Sequence, residues 1–252
     1  MDFPFLADTM SQLLAATPTT LALWISAIAI GGVLAIFIAW ARVSGVPGLS
    51  QLAGAYIFVF RGSPLLIQTF LLYYGLSQFA GVRQSFVWPI LRDPFNSAVI
   101  SLALCTAGYT AEIWRGGLMA VPGREIEAGR AIGMSGLTLF RRIIAPIALR
   151  QALPAYSTEI VLMMKSTALA SLVTVWEVTG VAERIIAQTY RTFEVFICAA
   201  VIYLVLNFLI IRVLLLIERR ISPHLRARPK PIVPGAPPAH AAGPIQLPEV
   251  PR

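Results

Sequence analysis

An all-α membrane protein with five transmembrane helices is the fold class this sequence predicts, and three observations carry it. The 252 residues are 57% hydrophobic and only 13% charged, where soluble domains carry about 25% charged residues. The apolar residues gather in blocks near the ~20 that a helix needs to cross the hydrocarbon core. Lys and Arg flank those blocks without forming a basic domain, so the net charge of +8 reports orientation in a membrane, not nucleic-acid binding.

Each element follows in order. Met1 to Thr17 is polar-mixed and weakly acidic, with no charged start or small-residue cleavage site, so no signal peptide is expected. The first span covers 18–41, with Trp24 and Trp40 as interface anchors and Arg42 at its end. The second, 52–76, contains "FRGSP", where Gly62 is permissive and Pro64 lacks a donor; a break is expected there. The third, 96–114, carries Ser97, Ser101 and Cys105 at four-residue spacing, a small-residue stripe suited to close helix packing. The fourth is expected over 154–175 and the fifth over 195–217, with 176–194 a short helix near the membrane surface. Cys105 and Cys198 lie in apolar segments without CxxC or His companions, so no metal site is expected.

Between the third and fourth spans, 115–150 is rich in Arg and punctuated by Gly. Residues 124–132 read as a short helix that Gly133 can end in a left-handed cap, and Ser135 can cap a second helix through about Ile144. Pro146 and Pro154 suit first-turn positions of the pieces that follow. The transmembrane domain thus occupies 1–222. In 223–252, nine of thirty residues are Pro, and a disordered tail is expected.

With five spans, thirteen Lys and Arg fall on one side and four on the other. The richer side is then cytoplasmic, which puts the N-terminus outside and the C-terminus inside.

Within the loop, Glu127, Ala128 and Gly129, then Gly133, Ile143 and Pro146, resemble the EAA motif of bacterial ABC importer permeases: EAA, three residues, G, nine residues, I, any residue, L, P. Gly129 stands where Ala is usual and Ala145 where Leu is usual. The resemblance runs from about Thr17 to Arg220 and includes "FRGSPLLIQTFLLYYGL" and "YSTEIVLMMKSTALAS". Its nearest likeness is to the polar amino-acid permeases for histidine, arginine and opines.

The resemblance implies a type I ABC importer transmembrane domain in a bacterial inner membrane. It implies pairing with a second permease or a second copy of this chain, two ATPase subunits and a periplasmic substrate-binding protein. It implies a polar, basic amino acid or an opine as cargo, with glutamine or glutamate as the alternative. No GxxxxGK[ST] loop occurs in the sequence. This chain is therefore expected to bind no cofactor, with ATP and Mg on the partner ATPases.

Arg61, Glu159 and Lys165 are charged within the spans, where a charge costs about 2.5–3.5 kcal/mol and usually faces a bundle interior or water cavity. Glu159 and Lys165 are six residues apart and point about 120° from each other on a helix, so they are not a stacked pair. Lys165 or Arg61 can meet a substrate carboxylate, Glu159 an amino group, and Ser166 or Thr167 can supply hydroxyls. Equally, Arg61 can satisfy carbonyls freed at Gly62–Pro64 and Glu159 can hold a gate. An intramembrane enzyme using Glu159 and Lys165 would lack HExxH, GxSxG or any His in a span. A passive channel or scaffold would leave the folded loop without an ATPase partner.

Overall fold

The computed structural model describes residues 2–221, and they are helical almost throughout. In chain order the helices are α1 (Phe3–Val43), α2 (Pro47–Gly62), α3 (Leu65–Phe70), α4 (Ala80–Arg83), α5 (Trp88–Leu91), α6 (Pro94–Met119), α7 (Gly123–Ala131), α8 (Gly136–Leu139), α9 (Ala145–Ser166), α10 (Val178–Thr189) and α11 (Thr192–Ile221). The expected tail, 223–252, lies outside the described residues.

α1 is the post around which the others pack. Ala27, Gly31, Ala35 and Ala39 recur every four residues along it and all are buried, so small side chains line one face and let a neighbour approach. That neighbour is α6. A Cβ on Gly31 would collide with the Thr106 methyl and lie 2.8 Å from the Ala103 carbonyl oxygen. The stripe of Ser97, Ser101 and Cys105 on α6 is buried as expected, and Ser101 shares a 2.8 Å hydrogen bond with Thr69 of α3.

α1 begins fifteen residues before the expected span at Pro18, which lies inside it. Asp2 caps it by accepting from the Phe5 amide at 3.3 Å. The early turns hold because Leu13 and Ala16 join a core with Val178, Val181, Ala182 and Ile185 of α10 and Val195, Cys198, Ala199 and Ile202 of α11. Packing of that face outweighs the one helical bond Pro18 removes. At ~1.5 Å per residue α1 is about 60 Å long, near twice the ~30 Å hydrocarbon core, so one end projects beyond it. α10 lies in the stretch expected as a short helix near the membrane surface, and its apolar face is buried in that same cluster.

The expected break in the second span is sharp. α2 and the segment Leu65–Gln78 meet at 105°, beyond a kink in one straight crossing. Leu71–Gly75 then forms a π-helical turn and Leu76–Gln78 a 3₁₀ turn. On the other side of the loop, α8, a π turn at Phe140–Ile144 and α9 follow one another without a gap. The second loop helix therefore does not stop at Ile144. Pro146 stands in the first turn of α9, as expected, but Pro154 lies in its interior. The cause is packing: Ala148 and Ala152 are buried, and a Cβ on Gly117 of α6 would lie 2.6 Å from the Ala148 carbonyl oxygen. After Ser166 a 3₁₀ turn, Thr167–Val173, ends at Thr174 with φ 66°.

By length and composition α1 and α11 can each cross a membrane, and the bent pairs Pro47–Gly62 with Leu65–Gln78 and Gly136–Val173 with Val178–Thr189 raise the number to four. α6 does not reach that measure. It carries Ser97, Ser101, Thr106 and Thr110, hidden against neighbouring helices.

Candidate functional site

Two groups of residues stand out, one on the loop hairpin and one among the long helices. In the hairpin, α7 ends in a Schellman turn: the Gly133 amide donates to the Arg130 carbonyl at 2.9 Å and the Met134 amide to the Gly129 carbonyl at 3.0 Å. Gly133 has φ 80°, a conformation that suits glycine. The turn folds α7 back onto α8. Gly129 is buried at the crossing, where a Cβ would lie 2.5 Å from Leu139 Cδ1 and 2.8 Å from Ile143 Cδ1. The Gly at this motif position thus has a packing reason, at a helix-propensity cost of up to about 1 kcal/mol.

Ile143 is half-buried beneath Gly129 and Pro146 is half-buried at the start of α9. Glu127 and Ala128 are exposed on α7. Beside them, Ile132 is 74% and Leu137 69% exposed, large apolar side chains on an otherwise charged hairpin. Such a rigid, partly apolar projection fits a protein partner.

Among the long helices, Glu159 is buried and accepts a 2.8 Å hydrogen bond from the Thr106 hydroxyl. Arg61, at the end of α2, is exposed, with its guanidinium 5.1 Å from the centre of the Tyr109 ring. It lines a cleft of about 440 Å³ with Arg42, Tyr109 and Glu112. Lys165 is exposed, and no ion pair joins it to Glu159 among the described residues.

The hydroxyls beyond Lys165 turn back on their own helix. Ser166 donates to the Leu162 carbonyl at 3.0 Å and Thr167 to the Met164 carbonyl at 2.7 Å. Thr167 is fully buried, so the structure does not place it on a surface shared with Lys165. The carbonyls freed at the α2 break are met by Gln68, whose Nε2 donates to Phe60 at 2.9 Å and Ser63 at 3.0 Å. Arg61 is not needed there.

Sequence reasoning missed Gln68 and Glu112. Glu112 takes Arg115 through two nitrogens, at 2.9 Å from Nε and 2.7 Å from Nη2, and lies 3.9 Å from Arg42. Both left a signal. Gln68 is the polar residue just after the break, and Glu112 is an acid inside the third expected span with Arg three residues on. A further acid, Glu177, is fully buried where α10 begins; it accepts from the Gly180 amide at 2.8 Å and the Tyr203 hydroxyl at 2.7 Å, tying α10 to α11.

A body of long apolar helices that projects a structured, partly apolar hairpin fits a membrane subunit that works with a second protein. The chain belongs to the family described as binding-protein-dependent transport system inner membrane component, whose model matches residues 31–223. It is similar to the octopine transport system permease protein OccM of Rhizobium radiobacter, 52% identical over 89% of this chain and 92% of that protein. The nopaline transport system permease protein NocM of Agrobacterium fabrum (strain C58 / ATCC 33970) is 48% identical over 90% of this chain and 95% of that protein. The histidine/lysine/arginine/ornithine permease HisM of Escherichia coli (strain K12) is 41% identical over 82% and 87%. Among solved structures, an amino acid ABC transporter described with histidines superposes with a TM-score of 0.78 at 34% identity, covering 87% of this chain and 99% of that one. The MetNI methionine ABC transporter shares the fold at a TM-score of 0.61 and 19% identity.

This chain is thus an inner-membrane permease subunit with the type I ABC transporter fold, a transport component and not itself an enzyme. ATPase and substrate-binding components are its partners.

Proposed function

We propose that this chain is one permease subunit of an ATP-driven importer for an opine or a basic amino acid. Its relatives' cargoes support the substrate class: octopine at 52% identity, nopaline at 48%, and histidine, lysine, arginine and ornithine at 41%. In this reading α6 supplies the fifth crossing, the N-terminus is periplasmic, and the hairpin with the C-terminus is cytoplasmic. A second permease, or a second copy of this chain, completes the pathway. Two ATPases hold ATP and Mg, and a periplasmic binding protein delivers the cargo.

The observation that carries the coupling role is the Schellman-capped hairpin, which holds Glu127, Ala128, Gly129, Gly133, Ile143 and Pro146 on one rigid unit with Ile132 and Leu137 exposed beside them. ATPase movement there would pass along the unbroken α8–α9 rod to Glu159 and Lys165. In the pathway, Arg61 or Lys165 meets the cargo carboxylate and Glu159 its cationic end, with the Ser166 oxygen at the same level.

The test is uptake by proteoliposomes holding this chain with its partner subunits and binding protein. ATP-dependent uptake of octopine, nopaline or arginine, with glutamate excluded, is the expected result. Uptake of glutamine or glutamate with arginine and opines excluded would overturn the substrate class.

A further inference from the structure

We propose that an anionic phospholipid binds at the junction of α1, α6 and the α8–α9 rod. An apolar groove of about 410 Å³ runs there, lined by residues that include Trp40, Trp114, Leu118, Phe140, Ala145 and Leu149. Ala148, which also lines it, packs against Gly117 of α6. Trp40 is 62% exposed, and Trp is typical of the headgroup level of a bilayer. A groove so lined, in a chain that sits in a membrane, takes an acyl chain.

Charge beside it selects the headgroup: Arg141 directly follows Phe140, which lines the groove. Arg141 lies four residues before Ala145 and eight before Leu149, the spacing of one helix face. About 6 Å of rise separates Arg141 from Ala145. Arg141 and Arg142 line a second hollow of about 400 Å³ with Leu137 and Thr138. Both are exposed, and no ion pair engages either among the described residues. The site therefore reads, along one rod, as Arg141 followed by an apolar slot, with Arg142 beside it in the same hollow. Basic pockets beside transmembrane helices bind anionic headgroups in this arrangement. The π turn at Phe140–Ile144 lies between the charged end and the apolar end. This binding is independent of which cargo is carried.

The experiment uses the whole transporter in nanodiscs made from equal parts phosphatidylglycerol and phosphatidylcholine, transferred to detergent and washed, with the retained lipid quantified. Wild type is expected to retain phosphatidylglycerol over phosphatidylcholine by roughly tenfold, from two Arg near the surface. Joint Arg141→Gln and Arg142→Gln should reduce the preference below about twofold. Ala145→Leu, which fills the slot, should lose both lipids. Arg150→Gln, on the same rod but outside the groove lining, should retain phosphatidylglycerol as wild type does. Equal retention by wild type and the Arg141/Arg142 variant would overturn the proposal. So would loss of the ATPase from that variant with its phosphatidylglycerol kept, since the Arg pair would then belong to the ATPase contact.

Discussion

Thr106 of α6 donates its hydroxyl to Oε1 of Glu159 on α9 at 2.8 Å, inside the protein. The same Thr106 packs its methyl where a side chain on Gly31 of α1 would stand. Three long helices therefore meet at one residue. Thr106→Val keeps the methyl and removes the donor, and loss of a buried bond to a charge-capable group is expected to cost about 1–3 kcal/mol. A lower melting temperature of the purified subunit checks this. Unchanged melting would show that another group takes over the Glu159 carboxyl.

The α1–α6 contact has its own test. Gly31→Ala places a methyl against Thr106 and 2.8 Å from the Ala103 carbonyl oxygen; because backbone has to move, about 1–3 kcal/mol of destabilisation is expected. At the adjacent Gly32 a Cβ would find only the Tyr156 hydroxyl at 3.5 Å. Gly32→Ala should be neutral, or stabilising by up to about 1 kcal/mol. Similar melting of the two variants would contradict the packing described.

At the start of α1, Arg191 donates to Asp2 at 3.0 Å, and this bond, with the Phe5 amide, holds the Asp2 carboxyl below its ordinary 3.8. A depressed carboxylate contributes stability above its unfolded value and loses it as pH falls through the folded one. Hydrogen exchange at the Phe5 and Leu6 amides should therefore rise, relative to the rest of α1, as pH drops below about 4, and the pH step should vanish in Asp2→Asn. Because the pair is exposed, salt should weaken the effect. A step that persists in Asp2→Asn would assign it to another group.

Lys165 is exposed on α9, without an acidic partner on its own face. Lys165→Met keeps length and removes a charge costing about 2.5–3.5 kcal/mol in a bilayer interior, so insertion should be at least as efficient while uptake falls. Equal uptake rate and substrate preference in both proteins would move the substrate contact elsewhere.

The hairpin was legible because its signals are local. Gly133 sits where a left-handed cap is needed, whereas Gly129, read only as a departure from the usual Ala, turned out to be the crossing point with α8. The α2 break was legible for the same reason, from Gly62 and Pro64. Helix ends set by distant packing were not. Pro18 and Pro154 read as starts, yet Leu13 against α10 and Ala148 against Gly117 carry both helices past them. Of the partners of Glu112, Arg115 three residues on was visible in the sequence, while Arg42, 70 residues away, was not. Thr167 read as an available hydroxyl, since nothing in its neighbourhood shows that the fold encloses it.

Coupling through the α7–α8 hairpin is the central claim, and one comparison at Gly133 tests it most directly. Proline is fixed near φ −65° and has no amide to donate, so Gly133→Pro breaks the turn at φ 80°. Asn tolerates that region. The measurement is ATP-driven uptake per ATP hydrolysed, in proteoliposomes of the whole transporter, together with the ATPase retained on purification. Gly133→Asn should keep both close to wild type. Gly133→Pro should lose uptake and shed the ATPase, while the purified permease still inserts and melts as wild type does. Wild-type uptake by Gly133→Pro would contradict the claim.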